Sequence, residues 1–134
     1  MDELRIKRYN DKINYIVDNI MDLPREPKSK FEKGGIFYSL QTSIETTMDL
    51  VAMLVKDLGV PVKDDALNIS KIINRRKLNS ELGEKLKKAN GLRNILVHRY
   101  NEFEEQLILD SVEEIKTLLY QWIEIVESIL NEIT

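Results

Sequence analysis

Three long stretches of the chain carry apolar residues at alternating intervals of three and four, the spacing of one face of a helix packed in a bundle. The first comprises Ile6, Tyr9, Ile13, Ile16, Ile20 and Leu23, and Pro24 and Pro27 follow it. The second comprises Phe37, Leu40, Ile44, Thr47, Val51, Leu54 and Leu58, and Gly59 and Pro61 follow it. The third comprises Val112, Ile115, Leu119, Trp122, Val126, Ile129 and Ile133, with Asp110 and Glu113 as a capping-box start.

Two shorter helices are predicted between the second and third stripes. Asp64 or Asp65 can cap a helix that runs to about Arg76, and Ser80 can cap another that runs to about Tyr100. With 5 glycines and 3 prolines in 134 residues, the chain has little material for the turns of an all-β fold. The sequence therefore predicts an all-α bundle of about five helices in one domain, residues 1–134.

The composition excludes several kinds of site. The absence of cysteine excludes disulfides, thiol catalysis and zinc–thiolate centres. A single histidine cannot form a usual zinc site, although carboxylates could still hold magnesium, and no glycine-rich nucleotide loop is present. No secretory signal is visible, nor a run of about 18 apolar residues that could cross a membrane. We therefore expect a cytoplasmic protein that enters no membrane and uses no metal or cofactor.

Charge is distributed unevenly along the chain. The charged residues at 71–100 are mostly basic, whereas the charged residues at 101–134 are mostly acidic. The net charge of the whole chain is only -3. The two segments could neutralise each other across an interface inside the molecule. Alternatively, the basic segment could form a surface that binds a polyanion such as RNA.

The one histidine of the chain, His98, lies in a segment that is well suited to phosphate chemistry. Arg93 precedes it by five residues and Tyr100 follows it by two. The planar guanidinium matches a phosphate, and histidine can transfer protons in both directions near neutral pH. A lone histidine on a helix is usually structural, but these neighbours favour a functional site.

A helical wheel divides this segment into two faces. It predicts a core face formed by Leu92, Ile95, Leu96 and, if the helix reaches it, Phe103. The opposite face carries Arg93, Asn94, Val97 and His98, with about 140° between the arginine and the histidine. Apolar Val97 in the middle of that face predicts that a second copy of the chain covers it, which would bring two Arg93–His98 sets into one cleft.

The pattern Arg93-Asn94-x-x-Val97-His98-x-Tyr100 resembles the signature of the HepT-like branch of the HEPN superfamily. A second pattern associated with the same branch, Tyr38-x-x-Gln41-x-x-Ile44-Glu45-x-x-x-Asp49, lies on the second long helix. Members of the superfamily are compact all-α domains that dimerise, and many are metal-independent endoribonucleases. The likeness extends over essentially the whole chain in length and helix order.

The resemblance implies the toxin of a two-gene, type VII toxin–antitoxin pair. Arg93 and His98 would be the catalytic pair that cleaves RNA, and Asn94 would position the substrate or His98. The cognate antitoxin would be a small MNT-like nucleotidyltransferase that silences the toxin by transferring AMP to Tyr100. The alternatives are a non-catalytic HEPN module that binds a nucleotide or scaffolds a nucleotidyltransferase, and a helical dimerisation protein in which His98 has no role.

Glu45 and Asp49 on the second long helix allow two interpretations. As carboxylates four residues apart they share a helix face and could approach the site, where they would position Arg93 or tune His98. The alternative is that they are solvated, or are ion-pair partners of lysine or arginine residues in the basic segment. We therefore leave both out of the predicted catalytic set.

Overall fold

The structure is a computed structural model that describes residues 1–98 and 102–134, without the side chains at 102 and 103. Within these residues the chain forms five helices and no strand, which confirms the all-α prediction. The helices are α1 (Glu3–Ile20), α2 (Lys30–Asp57), α3 (Asp65–Arg76), α4 (Ser80–Val97) and α5 (Glu102–Ile133).

Polar side chains cap the N-termini of the first four helices. Asp2, Ser29, Asp64 and Asn79 each accept a hydrogen bond from a backbone N–H of the first turn, as N-cap residues do. Asp64 is thus the cap of α3, one of the two predicted. At α4 the prediction was wrong by one residue, because Asn79 is the cap and Ser80 is the first helical residue.

Helix α2 is central and contacts each of the other four helices. The three apolar stripes supply most of one hydrophobic core. Trp122 is fully buried within it, and its indole N–H donates to the Leu82 carbonyl at 3.2 Å, so the ring joins α5 to α4 without an unpaired polar atom.

Two predicted helix boundaries were wrong. Helix α5 begins at Glu102, so Asp110 lies inside it and caps nothing. The reason is that Ile108, four residues before Val112, is fully buried and extends the stripe towards the N-terminus. Helix α4 ends at Val97 instead of reaching about Tyr100.

Helices α3 and α4 pack closely at Gly83. A Cβ at this position would lie 2.9 Å from Cγ1 of buried Ile73, so only glycine allows this approach without a shift.

A polar cluster joins α1 to the end of α2. The Asp57 carboxylate accepts hydrogen bonds from Arg5 Nε at 2.9 Å and from the Tyr9 hydroxyl at 2.5 Å. Burial and the bond to Asp57 raise the pKa of Tyr9 above its ordinary value. Burial alone would raise the pKa of Asp57, but the hydrogen bonds from Arg5 and Tyr9 outweigh it and hold that pKa below its usual range.

Of the helices in the described part of the chain, none has the length and apolar character needed to span a bilayer.

Candidate active site

The structure turns Arg93 inward, between two carboxylates. Its Nη1 lies 3.8 Å from Oε1 of Glu45 on α2, and its Nη2 lies 3.8 Å from Oδ2 of Asp65 at the start of α3. The side chain is 25% exposed. The helical wheel placed Arg93 on the outward face with Asn94, Val97 and His98. Its long side chain instead reaches across the surface of its own helix to charges on neighbouring helices.

Neither carboxylate is hydrogen-bonded to Arg93. A separation of 3.8 Å is longer than a normal N–H···O bond, so the two contacts are electrostatic. The Nε atom of Arg93 is buried and has no hydrogen-bond partner among the described residues. The guanidinium is thus oriented by charge while its N–H groups are not committed to an acceptor in the described part of the chain.

Asn90, one turn before Arg93 on α4, holds one of these carboxylates. Its Nδ2 donates to Oδ2 of Asp65 at 3.2 Å, the same oxygen that faces Arg93. On the other side, Gln41 Nε2 donates to Oε1 of Glu45 at 3.4 Å. Asp65 and Asn90 were not predicted as site residues, since Asp65 is 28 positions away from Arg93 and no local spacing connects them.

Glu45 and Asp49 have different partners. Glu45 faces Arg93, whereas Oδ2 of Asp49 lies 3.4 Å from Nζ of Lys12 on α1. Glu45 therefore approaches the site, where its partner Arg93 also belongs to the basic segment. Asp49 pairs with a lysine of α1, outside the basic segment, which neither interpretation named.

His98 lies directly after the last residue of α4 and is exposed. Its backbone is extended, with φ -96° and ψ 175°, and its N–H donates to the Asn94 carbonyl at 3.3 Å. The imidazole is therefore carried at the point where the chain leaves the helix. Asn94 is also exposed, so both residues lie on the predicted outward side.

The rest of the wheel is confirmed in part. Leu96 is buried and Leu92 is half-buried, but Ile95 is 41% exposed and does not belong to the core as predicted. Val97 is 51% exposed on the outward side, as predicted. Tyr100, the predicted AMPylation site, and the Phe103 side chain lie outside the described residues.

Ion pairs within α4 neutralise part of the basic segment. Lys85 pairs with Glu81, and Lys87 pairs with Glu84. Arg76 pairs with Glu132, which joins the basic segment to the acidic one. In the described part of the chain, no three His, Cys, Asp or Glu side chains are grouped as metal ligands would be.

The model of one protein family, described as "Ribonuclease HepT-like", matches residues 6–128. The chain belongs to this HepT-like family. It is 49% identical to a protein of Archaeoglobus fulgidus named "Putative RNase", over 97% of this chain and 98% of that protein. A second protein of that organism with the same name is 37% identical over 91% of this chain and 90% of its own length.

Solved structures share the fold of this HepT-like chain. A tri-AMPylated Shewanella oneidensis HEPN toxin in complex with MNT antitoxin aligns with a TM-score of 0.70 and 21% identity, over 96% of this chain and 99% of that one. A toxin–antitoxin structure with AMP-PNP aligns with a TM-score of 0.68 and 21% identity, over 94% of this chain and 99% of that one. These likenesses agree with the predicted HEPN helical bundle.

Proposed function

We propose that this HepT-like protein is a metal-independent endoribonuclease and the toxin of a type VII toxin–antitoxin pair. The observation that carries the proposal is the arrangement at the end of α4. Arg93 is oriented by two carboxylates without being hydrogen-bonded to them, and His98 is exposed on the same helix end. The likeness of the chain to two proteins named "Putative RNase" supports RNA as the substrate. We expect the protein to act on RNA in the cytoplasm.

The proposed reaction needs only proton transfer and charge stabilisation. A base takes the proton of the ribose 2′-hydroxyl, and the 2′-oxygen forms a bond to phosphorus as the bond from phosphorus to the 5′-oxygen breaks. An acid returns a proton to that leaving oxygen, and a 2′,3′-cyclic phosphate remains. His98 supplies one transfer and the partner subunit's His98 supplies the other in the predicted homodimer. Arg93 stabilises the negative charge on phosphorus, and Asn94 positions the substrate.

Glu45 and Asp65 have opposing effects on this site. They fix the direction of the guanidinium, which lowers the cost of aligning it with a phosphate. Their two negative charges also repel the phosphate from Arg93 at long range. Both effects are compatible with catalysis if the phosphate binds the exposed side of the guanidinium.

The proposed control is AMPylation of Tyr100 by an MNT-like nucleotidyltransferase antitoxin. One structural neighbour is an AMPylated HEPN toxin in complex with MNT antitoxin, and the other is a toxin–antitoxin structure with AMP-PNP, which supports this proposal. An AMP beside Arg93 would add negative charge and a bulky base, and so inhibit RNA binding by repulsion and by obstruction.

A second candidate is a non-catalytic HEPN module that binds a nucleotide or scaffolds the nucleotidyltransferase. The two carboxylates beside Arg93 favour it, because together they outweigh the charge of the arginine. In that case Arg93 would be a structural residue.

One experiment separates the two candidates. The purified protein is incubated with a labelled oligoribonucleotide in excess EDTA, and the products are examined for 2′,3′-cyclic phosphate ends. The proposal expects cleavage by the wild type and a loss of about a hundredfold or more in His98→Ala. No cleavage by the unmodified wild type would favour the non-catalytic module. Equal cleavage by both proteins would show that the cleavage does not depend on His98 and would contradict its proposed role.

The partner is tested by co-expression with the cognate nucleotidyltransferase. Intact-mass measurement should show AMP adducts on the wild type and none on Tyr100→Phe. Adducts that persist on Tyr100→Phe would assign the modification to another residue.

A further inference from the structure

Two aromatic side chains near the start of α2 are strongly exposed. Phe31 is 93% exposed and Tyr38 is 62% exposed. They are seven residues apart, so they differ by only about 20° around the helix and lie about 10.5 Å apart along its axis. Single exposed apolar residues are ordinary, but two large rings aligned on one helix face form a specific surface.

The helix between these rings carries no side chains on that face. Gly34 and Gly35 are exposed, and each lies within about 60° of both aromatic positions on the wheel. A Cβ at either glycine would meet no atom of the described residues within 4 Å, so packing within that part of the chain does not require them. Glycine is disfavoured in a helix and is used where another molecule approaches the backbone closely. The two glycines therefore leave room for another molecule to approach the backbone of α2 closely.

This face continues into the candidate active site. Glu45 lies a further seven residues along the same line of α2, and it contacts Arg93. At the other end, exposed Lys28 and Lys30 flank the N-terminus of α2, where the helix dipole also favours negative charge. An occupant thus meets two lysines at one end, aromatic rings in the middle and, at the other end, Arg93 with its two carboxylates.

We propose that Phe31, Gly34, Gly35 and Tyr38 form a stacking surface for unpaired bases of a single-stranded RNA. The inference rests on the proposed function, because it places this RNA on the path to Arg93 and His98. Stacked bases are about 3.4 Å apart. The distance of about 10.5 Å between the two rings along the helix axis is about three such intervals, so two bases fit between the rings. Aromatic side chains bind any base by its face, so the surface selects single strands and not a sequence.

The test measures RNA binding by fluorescence anisotropy in the His98→Ala background, where the probe is not cleaved. The probe is a short, labelled, single-stranded oligoribonucleotide of mixed sequence. Phe31→Ala and Tyr38→Ala should each weaken binding about tenfold, whereas Phe31→Trp and Tyr38→Phe should retain it. Tyr15→Ala, which removes an exposed ring on α1, is the matched control and should leave binding unchanged.

The glycines provide a second test that loss of folding cannot imitate. Gly34→Ala/Gly35→Ala should raise the melting temperature, since the new methyl groups meet nothing and alanine favours the helix. The same variant should weaken RNA binding severalfold, because the methyl groups occupy the space of the bases. Unchanged RNA affinity in this variant and in both ring-to-alanine variants would overturn the proposal.

Two further readouts separate the inference from its alternatives. If the ring variants change the molar mass by light scattering while RNA affinity stays the same, a second copy occupies the face and the proposal is wrong. If wild type cleaves RNA but the ring variants bind it normally, the inference fails and the proposed function stands. If ring-dependent binding is found without any cleavage, the proposed function fails and the stacking surface stands.

Discussion

Two arginines of similar exposure have very different surroundings. Arg5 is 21% exposed and donates from Nε to Asp57 at 2.9 Å, and its guanidinium carbon also lies 5.6 Å from the centre of the Tyr9 ring. Arg93 is 25% exposed, lies 3.8 Å from each of two carboxylates, and has a buried Nε without a partner in the described part of the chain.

Under the proposed function, this difference in hydrogen bonding separates a structural arginine, Arg5, from a catalytic one, Arg93. Arg5 donates a hydrogen bond to Asp57 inside the fold, so its removal costs stability. Arg93 is oriented but not satisfied, so its binding capacity is kept for another group. Burial alone does not distinguish the two residues, whereas the hydrogen bonds do.

The largest effect is expected from Arg93→Lys. Lysine keeps the positive charge but loses the planar fork that faces both Glu45 and Asp65. RNA cleavage should fall about a hundredfold, with the free energy of unfolding changed by less than about 1 kcal/mol. Single-turnover kinetics and urea unfolding measure the two quantities. Wild-type cleavage by this variant would show that charge alone suffices.

Asp57→Ala should lower the free energy of unfolding by about 2 kcal/mol, because it removes the acceptor of two part-buried hydrogen bonds. Asp11→Ala, which breaks an exposed ion pair with Lys7, should change it by less than about 0.5 kcal/mol. We call Arg5, Tyr9 and Asp57 the Arg5 cluster. Equal effects of the two substitutions in urea unfolding would contradict a structural role of this cluster.

The Arg5 cluster also predicts a pH dependence. Since the folded-state pKa of Asp57 is lowered, its contribution is complete above the unfolded pKa of about 4 and is lost as the pH falls through the folded value. Since the pKa of Tyr9 is raised, stability is also lost as the pH rises above about 10. Asp57→Ala should flatten the acidic part of the wild-type stability profile, and a profile with the same slope there would contradict this assignment.

Asp65→Asn should change the balance between kcat and KM. It removes an orienting charge, so kcat should fall about tenfold, while less repulsion of phosphate should leave KM unchanged or lower. Asp49→Asn is the matched control, because Asp49 pairs with Lys12 and not with Arg93. A higher KM with unchanged kcat would mean that Asp65 contacts the substrate rather than the arginine.

The smallest effect is expected at the close approach of α3 and α4. Gly83→Ala places a methyl group 2.9 Å from Ile73 Cγ1 and should cost about 1 kcal/mol, after the gain in helix propensity. Gly91→Ala on the same helix meets nothing within 4 Å and should stabilise the protein by up to about 1 kcal/mol. Thermal unfolding of the pair tests the sign at each glycine.

The sequence predicts the helices well because apolar periodicity is a local signal. The stripes from Ile6 to Ile20 and from Phe37 to Leu54 are mostly buried as predicted. The end of α4 was placed three residues too late because neither glycine nor proline marks a stop near Val97. Asp110 and Glu113 matched a capping box although buried Ile108 continues the helix before them.

The candidate site was predictable only along its own helix. Arg93, Asn94 and His98 were proposed from their spacing at the end of α4 and from the resemblance to HepT-like proteins. The inward direction of Arg93 depends on Glu45 and Asp65, which come from two other helices, and the packing of those helices cannot be derived from a wheel of α4 alone. The exposure of Ile95 has the same origin, because the wheel does not show where neighbouring helices end.

The most direct test of the two-arginine comparison is a paired measurement on Arg5→Ala and Arg93→Ala. For each purified variant, the rate of RNA cleavage in EDTA and the free energy of unfolding are measured on the same preparation. We expect Arg5→Ala to lose about 2 kcal/mol of stability and, while folded, to cleave at the wild-type rate. We expect Arg93→Ala to keep its stability and to lose cleavage about a hundredfold or more. Wild-type cleavage by Arg93→Ala, or a loss of cleavage that only follows unfolding, would contradict the account.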